Sequence, residues 1–351
     1  MNIKEKHMAK QDKLRVVMAG VCGFGGYRRA RMRETGLFDL VAAYDWNAEN
    51  MAKCQAEEHC EAAKSYEELI ARPNVEAVII STGGKFHAEQ MIKGAERGLH
   101  VYVEKPMCST PEELQAIIAT QKKTGVVMGV GHGDHSHEAG SLAVKGMIDS
   151  GELGKIATFE KTTAHSGGLM IKPGDWRGDP AKNPGGMLFQ CGVHALHELM
   201  FYFGPIAEVS AMMRYDVHTT LTADVACCIL RFESGLIGTL NAYHVTPYRH
   251  TFSVFGTKSS LYRDERFFDE GTKLWMQTTH LDNQKEARVP VEIKGESDIC
   301  GNLKSFYNAI RGTGPKLPYP SYIDGGRAVA AVFAAEESAK KGGAAVKVAK
   351  M

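Results

Sequence analysis

The sequence has no apolar run long enough to cross a bilayer as a helix, no C-x-x-C pair, no internal repeat and no long basic block. Each absence excludes something. Without an apolar run there is no helical membrane span. Eight cysteines (Cys22, Cys54, Cys60, Cys108, Cys191, Cys227, Cys228, Cys300) are scattered through 351 residues. Neither a disulfide scaffold nor a cysteine-ligated structural zinc is therefore expected, and reduced thiols in a cytoplasmic protein are. With 42 Lys and Arg against 41 Asp and Glu, the formal net charge of +1 supplies no general field for nucleic acid or an acidic membrane. Residues 1–13 are polar and charged and lack the apolar core of a secretory signal, so they read as a frayed extension. What remains is 44% hydrophobic and 24% charged, a soluble globular chain long enough for two domains.

The chain is organised around Leu99-His-Val-Tyr-Val-Glu-Lys-Pro-Met107. Leu99, Val101, Tyr102 and Val103 suit a buried parallel strand, and ligands of open α/β sheets gather at the carboxyl ends of such strands. Pro106 stops the strand and holds Lys105 extended, through either a trans or a cis bond. Lys105 is thus either delivered to a cleft or solvated at a strand end.

Upstream, residues 14–20 form a short apolar run that enters Gly20-Val-Cys-Gly-Phe-Gly-Gly26, followed by helix formers and a second strand ending at Asp45. Strand, glycine turn, helix, strand and acid make a dinucleotide-binding unit: the glycines let a pyrophosphate approach and the helix N-terminus offers it N–H groups. Read as G-x-G-x-x-G, the turn is Gly20, Cys22 and Gly25, with cysteine in the middle place and Gly23 and Gly26 nearby to compensate. Asp45 stands twenty residues beyond Gly25, the interval at which an acid reaches ribose hydroxyls. A carboxylate there repels a 2′-phosphate and Trp46-Asn47 supplies no arginine, which favours NAD over NADP.

Strand and helix patterns then alternate to Gly131: helices over 47–59, from 65, over 86–97 and from Thr110-Pro111, and strands over 77–81 and 125–131. This predicts a doubly wound parallel sheet over residues 14–131. Residues 132–351 read differently. A helix over 141–150 and a strand over 156–164 precede a Gly- and Pro-rich loop, 165–186, and a helix over 191–203. Strands follow over 208–216, 225–232, 236–243, 251–255 and 274–277, with little helix between them, which indicates an antiparallel sheet. Helices over 303–311 and 326–340 close the chain and can pack back on the first domain.

Taken with Gly20–Gly26, Asp45 and Glu104-Lys105-Pro106, five segments carry a family likeness: Glu104-Lys-Pro106 itself, Asp149-Ser-Gly-Glu-Leu-Gly154, Trp176-Arg177, Gly185-Gly186 through His194, and Gly256-Thr-Lys-Ser-Ser-Leu261. In order and spacing the sequence resembles the Gfo/Idh/MocA family of NAD(P)-dependent oxidoreductases, which act mainly on sugars, cyclitols and their derivatives. The resemblance implies a Rossmann domain followed by an α/β domain on a large, open, mainly antiparallel sheet, whose exposed face makes a homodimer or homotetramer. It places the site between the domains. It implies Lys105 as the lysine that contacts substrate and relays a proton, and His194 as the general acid/base.

The chain departs from the family pattern near that histidine. Where the family often has Asp-x-Gly-x-His, this sequence has Gln190-Cys-Gly-Val-His194, and glutamine cannot titrate. His197, followed by Glu198, stands where an Asp is usual, and His132 takes a place near the nicotinamide that is often polar or basic.

Oxidising a C–H beside a hydroxyl needs a base for the hydroxyl proton, a task that suits His194, while Lys105 steadies the developing alkoxide. Cofactor contacts are expected from Gly20, Cys22, Gly23, Phe24, Gly25 and Asp45, and from Thr82, His87, Glu104 and Lys105 at the later strand ends. Trp176, Arg177 and Gln190 join His194 as substrate residues. Each has a plainer reading: a helix histidine bonded to a carbonyl for His194, loop packing for Trp176 and Arg177, a helix start for His87. Asp134, His135 and His137 read as a solvated turn, and Tyr243 and His244 as packing. The groups His194/His197/Glu198 and His132/His135/His137 lack the order of a zinc peptidase helix, so no metal is expected. Two other functions compete with a sugar or cyclitol dehydrogenase: a glycoside-cleaving or epimerising enzyme on retained NAD, and a non-catalytic nucleotide sensor.

Overall fold

The computed structural model describes residues 13–133, 135–218, 220–265, 272–280 and 287–351. The N-terminal extension up to residue 12 and Asp134 lie outside these residues. None of the described helices is long and apolar enough to cross a membrane. The chain divides into two compact units. The first holds the residues up to Met107 together with Glu113–Gly131 and Ile299–Tyr322; the second holds Cys108–Glu112, His132–Asp298 and Ile323–Met351.

The first unit alternates β1 (Leu14–Ala19), α1 (Phe24–Thr35), β2 (Phe38–Tyr44), α2 (Ala48–Glu58), β3 (Glu61–Ala62), α3 (Tyr66–Ile70), β4 (Ala77–Ile80), α4 (His87–Glu96), β5 (His100–Glu104), α5 (Pro111–Thr124, in this unit from Glu113) and β6 (Met128–Gly131). Its six strands pair in the order β3-β2-β1-β4-β5-β6, all parallel. β4 is buried along its whole length, as its unbroken Ala-Val-Ile-Ile run requires. Local capping starts the helices: the Asn47 side chain accepts from the N–H groups of Glu49 and Asn50, and Ser65 accepts from Glu68. α1 opens at Phe24, three residues before the helix-forming composition begins.

The second unit contains α6 (Ala139–Asp149), β7 (Ile156–Ala164), α7 (Val193–Phe203), β8 (Ile206–Arg214), β9 (Val225–Phe232), β10 (Ile237–Tyr243), β11 (Arg249–Gly256), β12 (Ser259–Glu265), β13 (Thr272–Thr278) and β14 (Arg288–Pro290). α8 (Gly301–Arg311) returns to the first unit, where Phe306 meets Tyr102 edge-on with ring centroids 5.5 Å apart. α9 (Tyr322–Lys340) and β15 (Val346–Lys347) complete the second unit, apart from Tyr322. Its nine strands run β14-β13-β12-β11-β7-β10-β9-β8-β15, antiparallel except for β7 beside β10. Strict burial alternation along β9 gives the sheet one core face and one outer face.

Three local differences from the sequence reading have physical reasons. The predicted helix over 191–203 is an α7 preceded by a π-helical turn, Leu188–Gly192, a feature that leaves the composition unchanged. β12 begins at Ser259, inside the Gly256-Thr-Lys-Ser-Ser-Leu261 segment, and its mixed Ser, Arg and Glu composition hid it. β3, β14 and β15 have only two or three residues each, too few for a period to show.

Two segments that carried the family likeness lock together here. The Lys258 N–H donates to the Leu153 carbonyl at 3.0 Å, and the Lys155 N–H to Thr257 Oγ1 at 3.0 Å. A Cβ on Gly256 would stand 2.1 Å from the Leu153 oxygen, so only glycine lets the backbones approach. Gly256→Ala is expected to cost about 1–3 kcal/mol of stability through forced backbone displacement. Urea unfolding followed by far-UV circular dichroism checks this.

Candidate active site

The glycine turn joins β1 to α1. A Cβ on Gly20 (φ 79°) would lie 2.5 Å from the Ser81 carbonyl oxygen, and one on Gly25 would lie 2.2 Å from the Gly20 oxygen. Gly23 (φ 57°) has open space where a Cβ would be. Cys22 and Phe24 are exposed, and no side chain caps the N-terminus of α1. This is a close-packed backbone turn leading into an uncapped helix N-terminus, and it fits a dinucleotide pyrophosphate. Asp45 ends β2 and braces the same turn: its carboxylate accepts from the Val21 N–H at 3.0 Å and the Asn47 N–H at 3.0 Å. Trp46 beside it is 86% exposed, and no arginine of this turn or of α1 bonds Asp45.

Glu104 and His87, both expected at the cofactor, bond within the protein. Glu104 is buried and turned inward. Its Oε1 accepts from Arg28 Nε at 2.9 Å and Nη2 at 2.7 Å, while Arg28 Nη1 donates to Asn302 at 3.3 Å. A Cβ on Gly131 would meet the Glu104 carboxylate at 2.5 Å, so β6 leaves room for it. His87 is 1% exposed, with Nδ1 2.7 Å from the Pro106 carbonyl and Nε2 2.9 Å from the Thr82 carbonyl. Burial holds its pKa below the ordinary histidine value, against the pull of the two carbonyls. Both ring nitrogens are engaged by backbone, so His87 ties the turn after β4 to the Lys105-Pro106 turn, whose peptide bond is cis. The Thr82 hydroxyl donates to Gln90 Oε1 at 2.6 Å. Lys105 is half-buried at the end of β5.

In the second unit, His194 lies half-buried in the first turn of α7. It belongs to a cluster that sequence reasoning left in separate groups. The His132 ring meets His194 edge-on at 5.5 Å and stacks on His197 at 4.9 Å, 19° from parallel; His135 lies 5.3 Å from His197. His132, His135 and His197 are buried. Burial, with His135 adding to it, holds the His197 pKa well below the ordinary value, so its ring is neutral. No group of metal-ligating side chains forms among the described residues.

Beneath the cluster, Glu198 binds Lys161 at 2.6 Å and Arg263 at 2.8 Å, and accepts from the Tyr202 hydroxyl at 3.1 Å. Arg263 also pairs with Glu265, and Lys161 lies 3.7 Å from Glu265. Burial pushes the Glu198 carboxyl up, but Lys161 and Arg263 outweigh it and hold it below the usual carboxylate range. Sequence reasoning missed this network. The available signal was phase: Lys161 sits between Phe159 and Thr163 on the core face of β7, where an unpaired charge is not tolerated.

Trp176 and Arg177 form a short 3₁₀ turn in the long loop, with the Arg177 guanidinium 4.7 Å from the Trp176 ring centre. Gln190 Nε2 donates to Asn183 Oδ1 at 3.0 Å. Asn183, absent from the sequence reading, joins Gln190 to this loop. The read packing role of His244 agrees with its 2% exposure and its place against Gly168. The expected solvated turn does not hold for His135, which is buried with Nδ1 3.2 Å from Ser141 Oγ.

A glycine-turn Rossmann unit, joined to a second unit built on an open antiparallel sheet, defines the class of dinucleotide-binding α/β proteins. Residues 14–132 match the oxidoreductase family with an NAD-binding Rossmann fold, and residues 141–262 match the GFO/IDH/MocA C-terminal domain. The chain belongs to the Gfo/Idh/MocA oxidoreductase family. It is 31% identical over 202 residues to scyllo-inositol 2-dehydrogenase (NAD(+)) of Bacillus subtilis, covering 56% of this chain and 57% of that protein. It is 28% identical over 286 residues to 1,5-anhydro-D-fructose reductase of Ensifer adhaerens, covering 80% and 82%. Among solved structures, an oxidoreductase from Desulfitobacterium hafniense, provisionally described as NADPH-dependent, superposes with a TM-score of 0.88 at 28% identity over 96% of this chain and 98% of its own. Levoglucosan dehydrogenase in complex with NADH shares the fold, with a TM-score of 0.84 at 20% identity over 97% of this chain and all of its own.

Neutral, buried histidines make stability depend on pH. The unfolded chain protonates His197 near pH 6.5 and the folded protein resists it, so stability is full above about pH 6.5 and is lost as pH falls below it. The expected slope is up to about 1.4 kcal/mol per pH unit for each such histidine. His197→Asn is expected to flatten the slope, measured as urea midpoints between pH 8 and pH 5.

Proposed function

We propose that this protein is an NAD-dependent oxidoreductase that moves a hydride between the nicotinamide and a hydroxyl-bearing carbon of a sugar, cyclitol or sugar derivative. The observation that carries the reading is His194 on α7, packed edge-on against His132 in a cluster with His197, in a chain whose relatives are named for inositol and anhydro-sugar substrates. NAD, when bound, supplies the hydride acceptor. His194 takes the hydroxyl proton as the C–H bond breaks and returns it in the reverse direction. The His132 ring, stacked on His197, meets His194 edge-on and packs its imidazole in place. Lys105 donates to the reacting oxygen and stabilises its developing negative charge. Arg28 and His87 keep Lys105 at the strand end through Glu104 and Pro106.

Cofactor preference differs among members of a family, and one relative is described as NADPH-dependent. Here Asp45 argues for NAD, because a carboxylate at the ribose repels a 2′-phosphate. A homodimer or homotetramer through the outer sheet face fits the same reading: Phe255, Tyr262 and Trp275 stand there, half-buried among polar side chains.

Lys105→Met and His194→Asn are each expected to lower kcat by about 10²-fold or more for scyllo-inositol oxidation, with NADH binding kept within about threefold. NADH absorbance and fluorescence titration check the two halves. Unchanged turnover removes the residue from the mechanism. Asp45→Ala is expected to narrow the ratio of NAD to NADP affinity by about tenfold, by removing the repulsion and a ribose acceptor. An unchanged ratio refutes that role.

A further inference from the structure

Two of the eight cysteines meet beside the glycine turn. α2 ends at Glu58, and His59 closes it in the left-handed conformation (φ 55°, ψ 29°), its N–H donating to the Gln55 carbonyl at 2.9 Å. A left-handed helix end turns the next residue back against the last turn of the helix. That residue is Cys60, and its Sγ lies 3.9 Å from Cys54 Sγ. Cys54 is 0% exposed and Cys60 6%, so Cys60 stands nearer to solvent. The two share one apolar cluster with Val21, Ala43 and Met51. Val21 belongs to the glycine turn. Its N–H donates to Asp45, and its carbonyl accepts from the buried Arg29 at 3.2 Å, which also pairs with Glu57 and Glu58 at the end of α2. The contact between the sulfurs, with Cys54 as donor, holds the Cys60 pKa below the ordinary thiol value and that of Cys54 above it.

We propose that Cys54 and Cys60 are an oxidation site for hydrogen peroxide, closing reversibly to a disulfide that weakens dinucleotide binding at the neighbouring turn. Redox-sensitive thiols combine an attacking thiolate with a resolving thiol beside it. Cys60, as thiolate, attacks one peroxide oxygen. The O–O bond breaks, the sulfur is oxidised to a sulfenic acid, and the departing hydroxide leaves as water with the proton that Cys60 gave up. Cys54 then gives up its own proton and attacks the Cys60 sulfur. The S–S bond forms, the S–O bond breaks, and that hydroxide leaves as a second water. Two thiols and one peroxide thus become one disulfide and two waters. Bonding draws the sulfurs about 2 Å closer than they stand as thiols. Close-packed neighbours feel a shift of that size. Here the neighbours are Val21, which carries one bond to Asp45, and α2, whose capping residue Asn47 carries another.

The test treats the reduced full chain with a small molar excess of hydrogen peroxide, blocks the remaining thiols with iodoacetamide and reads the digest by mass spectrometry. The expected product is a bridge between Cys54 and Cys60, two hydrogens lighter than the dithiol and reopened by dithiothreitol. No bridge once the exposed Cys22 and Cys227 are oxidised overturns the inference. With dimedone present, Cys54→Ala is expected to carry the sulfenic adduct on Cys60, and Cys60→Ala to carry none on Cys54. Label on Cys54 alone overturns the inference. Fluorescence titration with NADH reads the coupling to the turn. The bridged wild type is expected to bind NADH about fivefold or more weakly than the reduced protein, and dithiothreitol to restore the affinity. Peroxide-treated Cys54→Ala is expected to stay within about twofold of its own reduced form. Equal affinities of bridged and reduced wild type overturn the inference. So does an equal loss in Cys54→Ala, which assigns the effect to Cys22 in the turn itself. The bridge is read in wild type, so its detection does not depend on either variant folding.

Discussion

Three buried charges and one half-buried carboxylate, on three elements, hold the second unit in its working form. Lys161 on β7 and Arg263 on β12 face Glu198 on α7 and Glu265 on β12. Taking an ion out of water costs several kcal/mol, and mutual pairing offsets that cost only when the geometry is good and the remaining bonding positions are filled. Here the filling is dense. Tyr202 and Ser141 add hydroxyls around Arg263, and Glu138 approaches it at 3.8 Å. A helix so held cannot slide or rotate without stranding a charge. His194 lies four residues before Glu198, on the face of α7 that the network pins, and His197 immediately precedes Glu198. The positions of their rings, and the stack with His132, follow from that anchor.

The first unit uses the same device on a smaller scale. Arg28 reaches from α1 to Glu104 at the end of β5, over the face of Tyr102 at 4.8 Å, and continues to Asn302 on α8. Helix, strand and the returning C-terminal helix are thereby locked around the residue before Lys105. His87 performs the parallel task on the other side of that lysine, through the Pro106 carbonyl. Neither Glu104 nor His87 offers its engaged atoms to a ligand, and each fixes the backbone next to a residue that can. Chemical groups held within a fraction of an ångström need such supporting shells.

Much of this could be read from the residues in order. β4 and β5 were legible as short apolar runs bounded by turn residues, and the two sheets because strand–helix alternation and strand–strand succession read differently. The glycine turn and Asp45 were legible from spacing. The stacking of His132 and the pairing of Lys161 and Arg263 were not, because the partners that give them meaning lie far away in sequence: Arg263 is 65 residues from Glu198, and His132 is 62 from His194. His87 and Glu104 were read as cofactor residues, and their protein partners were not read. Their motif positions placed them near a ligand, and nothing in the sequence shows which way a side chain turns at a strand end.

The sequence by itself determined the family, the two-part architecture, the strand ends that precede Asp45 and Lys105 and the helix that carries His194, since these depend on local periodicity and on glycine and proline at fixed spacings. Only the tertiary structure decided which charges pair and which histidines stack. Those depend on distances between elements that pack together after folding, and on burial, which makes an unmet hydrogen bond or charge costly enough to select one arrangement.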